Sequence, residues 1–227
     1  MVTKRSTYVL IPGAGGSAWY WHRVVRLLRD RGDAVVAVDL PAADERAGLG
    51  EYTDTVVRAV GRRTRLVVVA QSLAGFTAPL VCDRVSVDRL ILLNAMIPIP
   101  GEPAGEWWAH TGHAEPGEDF DPLRVFFHDV PESVTAEAMA MGEPAQAGTP
   151  FIEPWPLREW PRVPTRVLQG RDDRLFPLEI QRRVARQRLG IELEEMPGGH
   201  LVALSQPEEL ARRLVARGGR VGSERTG

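Results

Sequence analysis

Four short stretches hold residue types that can do nucleophilic chemistry together. Leu66-Val67-Val68-Val69-Ala70-Gln71-Ser72-Leu73-Ala74-Gly75 reads as a strand, a sharp turn and a helix, with Ser72 at the turn. A strained strand-to-helix turn lifts a hydroxyl clear of the backbone, as a serine nucleophile requires. The positions two before and two after the serine are Ala70 and Ala74, both small, and Gly75 follows. An ordinary helix N-cap is the competing role for this serine. Met196-Pro197-Gly198-Gly199-His200-Leu201 places a glycine-flanked histidine just after the last predicted strand. The flanking glycines leave its imidazole free to reach sideways as a general base. Gln169-Gly170-Arg171-Asp172-Asp173-Arg174-Leu175-Phe176-Pro177 puts two carboxylates just beyond a buried strand, where active-site groups of open parallel sheets lie. By position either aspartate can be the acid that orients the base, and the other is a helix-approach or surface carboxylate.

The fourth stretch is Pro12-Gly13-Ala14-Gly15-Gly16-Ser17 after an early strand. Such a turn presents backbone N–H groups to an anion. It matches neither the GxGxxG dinucleotide fingerprint nor a P-loop with its lysine, so an oxyanion fits better than a nucleotide phosphate. Acyl transfer needs two such donors. The N–H of Leu73, the residue after the serine, supplies one, and Ala14 is the choice for the second. A lone histidine in a turn is more often structural, but serine, aspartate and histidine follow one another along the chain, each immediately after a strand. That combination is far more specific than any of its parts.

The elements that must position these groups alternate along the chain. Strands are predicted at Tyr8–Ile11, Ala34–Leu40, Leu66–Ala70, Arg89–Asn94 and Thr165–Gln169, with an edge strand at Ile191–Met196. Helices are predicted at Val24–Asp30, Tyr52–Arg62 with Thr53 as its cap, Ala74–Val81, Leu178–Gln187 and Pro207–Ala216. Gly218–Gly227 reads as a frayed tail. Short apolar strands alternating with helices predict a mostly parallel central sheet flanked by helices, an α/β architecture. The alternation breaks at about residues 98–160, a segment rich in Pro, Gly and aromatic residues. A stretch this long inside a compact domain is a functional insert, read as a cap over the top of the sheet rather than a second domain. Residues 1–227 thus form one domain with a cap insertion, with Trp107, Trp108, Phe126 and Phe127 as candidates to line an apolar substrate pocket.

Composition bounds the function. The chain has 227 residues, 28 Lys and Arg against 30 Asp and Glu, and a net charge of -2, so no basic face points to nucleic acid. The first apolar run ends at Pro12, too short for a signal-peptide core or a membrane span. One cysteine, Cys82, allows no intrachain disulfide and reads as a small core residue, which suits a reducing compartment. The expected location is cytoplasmic. His22, His110, His113 and His128 show no ligand spacing of the HExxH kind, so no metal is expected. Serine hydrolysis needs no cofactor, and nothing in the pattern specifies an oligomeric state.

These residues resemble the α/β-hydrolase superfamily from about Tyr8 to Ala216. Within it the chain is most similar to the small-capped branch of plant methylesterases and hydroxynitrile lyases and their bacterial relatives. The segments that carry the likeness are Leu10–Ala14 through Trp19 and Trp21, Asp172–Arg174 to Pro177–Gln181, and His200 through Ser205–Leu210. The resemblance implies that Asp173 rather than Asp172 is the acid. Pro12 stands where the branch usually has His, and Gln71 stands where it usually has His before the serine; Gln71 is expected to tune the pocket. The lyases carry Thr at the position of Gly13 and Lys after the base, where this chain has Leu201. The resemblance therefore implies an esterase-type hydrolase with Ser72, Asp173 and His200 as triad, and Gly13 and Gln71 on the substrate side. A thioesterase, lactonase, cyclase or carbon–carbon hydrolase with the same triad is the alternative, and a non-catalytic small-molecule binder is the third possibility. Dehalogenases and epoxide hydrolases, which place Asp at the nucleophile, do not fit.

Overall fold

A computed structural model describes residues 5–115, 117 and 119–216; the predicted tail at Gly218–Gly227 lies outside them. The elements in chain order are β1 (Thr7–Ile11), α1 (His22–Asp30), β2 (Ala34–Ala37), α2 (Leu49–Val60), β3 (Leu66–Ser72), α3 (Ala74–Arg84) and β4 (Val87–Ala95). The insertion then contributes α4 (Trp107–His110), α5 (Pro122–Val125), α6 (Glu132–Ala140) and α7 (Thr149–Ile152). The chain closes with β5 (Thr165–Gly170), α8 (Leu178–Leu189), β6 (Glu194–Met196), α9 (Val202–Ser205) and α10 (Pro207–Val215).

The six strands form one parallel sheet in the order β2-β1-β3-β4-β5-β6. Every residue of β3 is buried, because side chains of a strand alternate between faces and both faces are covered. Val68 and Ala70 pack with Val56 and Phe76 on one face, while Val67 and Val69 pack with Val24 and Leu214 on the other. That two-sided burial is why Leu66–Ala70 reads as an unbroken apolar run.

Boundaries shift where hydrogen bonds outweigh pattern. Helix α2 starts at Leu49, three residues before the predicted start, because carboxylates reach its first turn. Glu51 accepts the Gly48 N–H at 2.9 Å and Glu153 accepts the Leu49 N–H at 2.7 Å. Thr53 is therefore interior rather than a cap, and its hydroxyl donates back to the Leu49 carbonyl at 2.7 Å. The predicted edge strand is shortened to Glu194–Met196 and does lie at the sheet edge.

After β1 the chain moves outward to β2, and β3 returns on the other side of β1. The crevice beyond the carboxyl ends of β1 and β3 is thus a topological switch point, the place where open α/β sheets bind ligands. No helix among the described residues is long and apolar enough to cross a membrane.

Candidate active site

Ser72 ends β3 with φ 55°, in the left-handed region that non-glycine residues seldom occupy. Leu73, not Ser72, is the N-cap of α3, and it makes no side-chain cap bond. The hydroxyl is therefore not spent on capping. Two glycines let neighbouring chains come close to this turn. A Cβ on Gly13 would stand 2.8 Å from Ser72 Cβ, and one on Gly75 would overlap the Met96 carbonyl oxygen. Met96 in turn donates its N–H to the Ser72 carbonyl at 3.0 Å. The strained turn is thus held between β1 and the end of β4.

His200 Nδ1 lies 2.9 Å from Asp173 Oδ2. An ionised carboxylate can only accept, so Nδ1 carries the proton and Nε2 is left basic. Asp173 Oδ1 accepts the Leu175 and Phe176 N–H groups at 2.8 and 3.0 Å, and Oδ2 also accepts from Gln169 Nε2 at 3.2 Å. Four donors converge on one buried carboxylate. Asp172 serves a different purpose, accepting the Gly198 N–H at 3.2 Å and so pinning the turn before the histidine.

The main chain at His200 is held from the sheet. Asn94, fully buried at the end of β4, donates Nδ2 to the Gly199 and His200 carbonyls at 2.9 Å each and accepts the Gly170 N–H at 2.7 Å. Gln71 Nε2 donates to the His200 carbonyl at 3.0 Å. Asn94 and Gln169 did not emerge from the sequence; the only signal was a polar residue closing an otherwise apolar strand. The glycines before His200 serve close packing rather than freedom of the imidazole. A Cβ on Gly170 would overlap the Gly198 carbonyl, and one on Gly199 would lie 2.5 Å from His128 Nε2. Phe126 and Phe176 flank the imidazole with ring centroids 5.2 and 5.3 Å away.

Ser72, His200, Gln71, Gly13 and Ala14 line one cavity of about 750 Å³. Its apolar wall comes from Phe120, Leu123, Phe126, Phe127 and Met139 of the insertion. Burial pushes the hydroxyl of Tyr20, another lining residue, above the ordinary phenol value. Among the described residues the Ala14 and Leu73 N–H groups have no protein acceptor. Trp107 and Trp108, predicted to line the pocket, do not. Trp107 is fully buried, donates Nε1 to the Ile97 carbonyl at 3.2 Å, and packs at a tilt against Phe176; Trp108 packs between Phe176 and His113. The larger apolar surface of tryptophan goes into the core, and the phenylalanines face the cavity. No cluster of three metal-ligating side chains occurs among the described residues.

Residues 8–213 match the model of the alpha/beta hydrolase family. The chain is 26% identical over 253 residues to a probable esterase, PIR7A, of Oryza sativa subsp. indica, covering 92% of this chain and 95% of the rice protein. Among solved structures it is similar to polyneuridine aldehyde esterase, with TM-score 0.78 and 18% identity over 93% of this chain and 98% of that chain. It is also similar to a pyrethroid hydrolase from Sphingobium faniae JZ-2, with TM-score 0.74 and 22% identity over 93% and 96% of the two chains. With the sheet order, the turn at Ser72 and a family match spanning nearly the whole chain, this protein belongs to the alpha/beta hydrolase family of enzymes.

Proposed function

We propose that this chain is a cytoplasmic serine hydrolase that cleaves a small carboxylic ester through an acyl-enzyme, with residues 98–160 acting as a cap on a single domain. The observation that carries the reading is the 2.9 Å bond from His200 to Asp173 beside a cavity that Ser72 also lines. Ser72 Oγ attacks the ester carbonyl while His200 Nε2 takes its proton, and Asp173 holds the imidazole in the required tautomer and stabilises its charged form. The Leu73 and Ala14 N–H groups, free of acceptors among the described residues, receive the oxyanion. Each such donor contributes roughly 2.7–4 kcal/mol to transition-state stabilisation. Collapse of the tetrahedral intermediate expels the alcohol, which leaves with the proton from His200. Water, activated by the same imidazole, then attacks the acyl carbonyl and releases the acid, returning the proton to Ser72. The chemistry calls for no cofactor.

The phenylalanine, leucine and methionine side chains of the wall favour an apolar or aromatic acyl or alcohol portion. The esterase and hydrolase names of the relatives support ester cleavage over other bonds. The test is labelling by a fluorophosphonate probe together with turnover on a panel of esters, thioesters and lactones. We expect one label on Ser72, none on Ser72→Ala, and ester turnover falling by several orders of magnitude in that variant with the fold intact. A wild-type protein that never labels, or that turns over only a non-ester substrate, would displace this reading.

A further inference from the structure

Two hydrogen bonds tie the insertion to the two loops that hold the chemistry. Gln146 Oε1 accepts the Gly15 N–H at 2.9 Å, next to Ala14. Asp129 Oδ2 accepts the Gly199 N–H at 2.7 Å, next to His200. Both acceptors lie in the segment between β4 and β5, and they act on loops that are otherwise far apart in the chain. We infer that Asp129 and Gln146 are positioning residues, a two-point clamp through which the insertion sets the oxyanion loop and the base loop in mutual register. This rests on the reading of Ser72, His200 and Ala14 given above.

Beyond the Leu40 N–H that the Gly16 carbonyl accepts at 2.8 Å, the oxyanion loop has little to hold it, and the base loop is held from the sheet side except at the Gly199 N–H. Gly13–Gly16 is rich in glycine, with Gly15 at φ 81° and Gly16 at φ 62°, so its ordering costs more conformational entropy than that of other residues. Its internal restraint is one turn bond, Gly16 N–H to the Gly13 carbonyl at 3.1 Å. Gln146 is well placed to supplement it. Its Nε2 donates to Tyr52 Oη at 3.2 Å and to the Ala147 carbonyl at 2.8 Å, which fixes the amide plane and aims Oε1 at Gly15. Pro144 closes over the same loop, so near that a Cβ on Gly15 would stand 2.6 Å from it.

At the other loop, the division of labour is visible atom by atom. The Gly199 and His200 carbonyls are held from the sheet by Asn94 and Gln71, and the Gly198 N–H is held by Asp172. Among the described residues, the Gly199 N–H is held from the insertion alone. Gly199 is pressed so closely there that an added Cβ would lie 2.7 Å from Asp129 Oδ1. A base and an oxyanion hole misplaced by about 1 Å lose on the order of 100-fold in rate, so a bond that removes this freedom acts on kcat.

The test measures kcat and KM on p-nitrophenyl acetate for Gln146→Met, Asp129→Leu and Asp129→Asn, alongside thermal melts and fluorophosphonate labelling of the wild type. Met keeps the approximate volume of Gln, Leu keeps the branched shape of Asp, and both remove the acceptor; Asn keeps an acceptor oxygen for Gly199. The clamp predicts kcat lower by roughly 10–100-fold in Gln146→Met and Asp129→Leu with KM within about twofold, and recovery of most of that loss in Asp129→Asn. Unchanged kcat with a raised KM for Gln146→Met would make it a substrate contact, and Asp129→Asn as impaired as Asp129→Leu would remove the positioning role of Asp129. If Asp129→Leu does not fold, amide hydrogen exchange of the wild type decides: Gly15 and Gly199 amides that exchange as fast as free loop amides overturn the clamp. Wild-type protein that fails to label overturns the Ser72 reading and the clamp with it, whereas labelled wild type with undisturbed variants overturns the clamp alone.

Discussion

The side-chain amide of Asn94 donates to the main-chain carbonyl of His200 at 2.9 Å, joining the end of one strand to a loop 106 residues later. The same amide holds Gly199, and its oxygen takes the N–H of Gly170 at the end of β5, so three main-chain groups converge on one side chain. Asn94 sits at φ 44°, a conformation that Asn tolerates better than most residues. Asn94→Ala strands the buried Gly199 carbonyl and the buried Gly170 N–H and leaves the His200 carbonyl to Gln71 alone, and we expect a loss of about 1–3 kcal/mol in stability. Chemical denaturation reads this loss, and a drop in kcat larger than the drop in substrate affinity reads the accompanying displacement of the His200 loop. Wild-type stability and kcat in this variant would show that Asn94 holds nothing of consequence.

Asp173→Asn tests the tautomer argument. The Leu175 and Phe176 N–H groups point at one carboxylate oxygen, so the amide oxygen of Asn will occupy that position. Its NH2 then faces His200 Nδ1 and donates to it, driving the proton to Nε2, where it cannot accept from Ser72. Turnover should fall by about 10⁴-fold with little change in KM. Activity within tenfold of wild type would remove Asp173 from the mechanism.

Two glycine substitutions should act in opposite directions. Gly75→Ala places a methyl on the Met96 carbonyl oxygen, in backbone that cannot retreat, and should unfold or severely destabilise the chain. Gly50, on the exposed first turn of α2, has nothing within 4 Å of an added Cβ. Gly50→Ala should raise stability by roughly 0.4–1 kcal/mol by narrowing the unfolded ensemble, leaving turnover unchanged. Melting temperatures of the pair check both signs.

Cys82 gives a pH-dependent prediction. Burial pushes its thiol up to about 12, against about 8.5 in an unfolded chain. Between those values the folded protein keeps a proton that the unfolded chain releases. The stabilising contribution is complete below about pH 8.5 and diminishes as pH climbs towards 12. The melting temperature of wild type should therefore fall more steeply than that of Cys82→Ala between about pH 8.5 and 10.5. Parallel curves would mean that the thiol titrates normally in the fold.

Residues whose roles depend on local sequence were readable, and those whose roles depend on distant main chain were not. The serine turn and the histidine announced themselves because each follows a strand and sits among small residues. Asp172 and Asp173 could not be separated by spacing, since both follow β5; only the fold sends one to Gly198 and the other to His200. Asn94 and Gln169 looked like strand termini because their partners are separated from them by as many as 106 residues or are backbone groups without a sequence signature. The aromatic richness of the insertion was visible, but the division between Trp107 in the core and Phe126 at the cavity was not. A hydropathy pattern records that a ring is buried, not which surface buries it.

The insertion's bonds to Gly15 and Gly199 bear on how this scaffold tolerates exchange of its outer wall. A transplanted segment from a relative can alter what enters the cleft, yet it will yield a sluggish chimera unless it also brings an acceptor to each of those two amides. Diversity at the rim is cheap only where those two anchor points are kept.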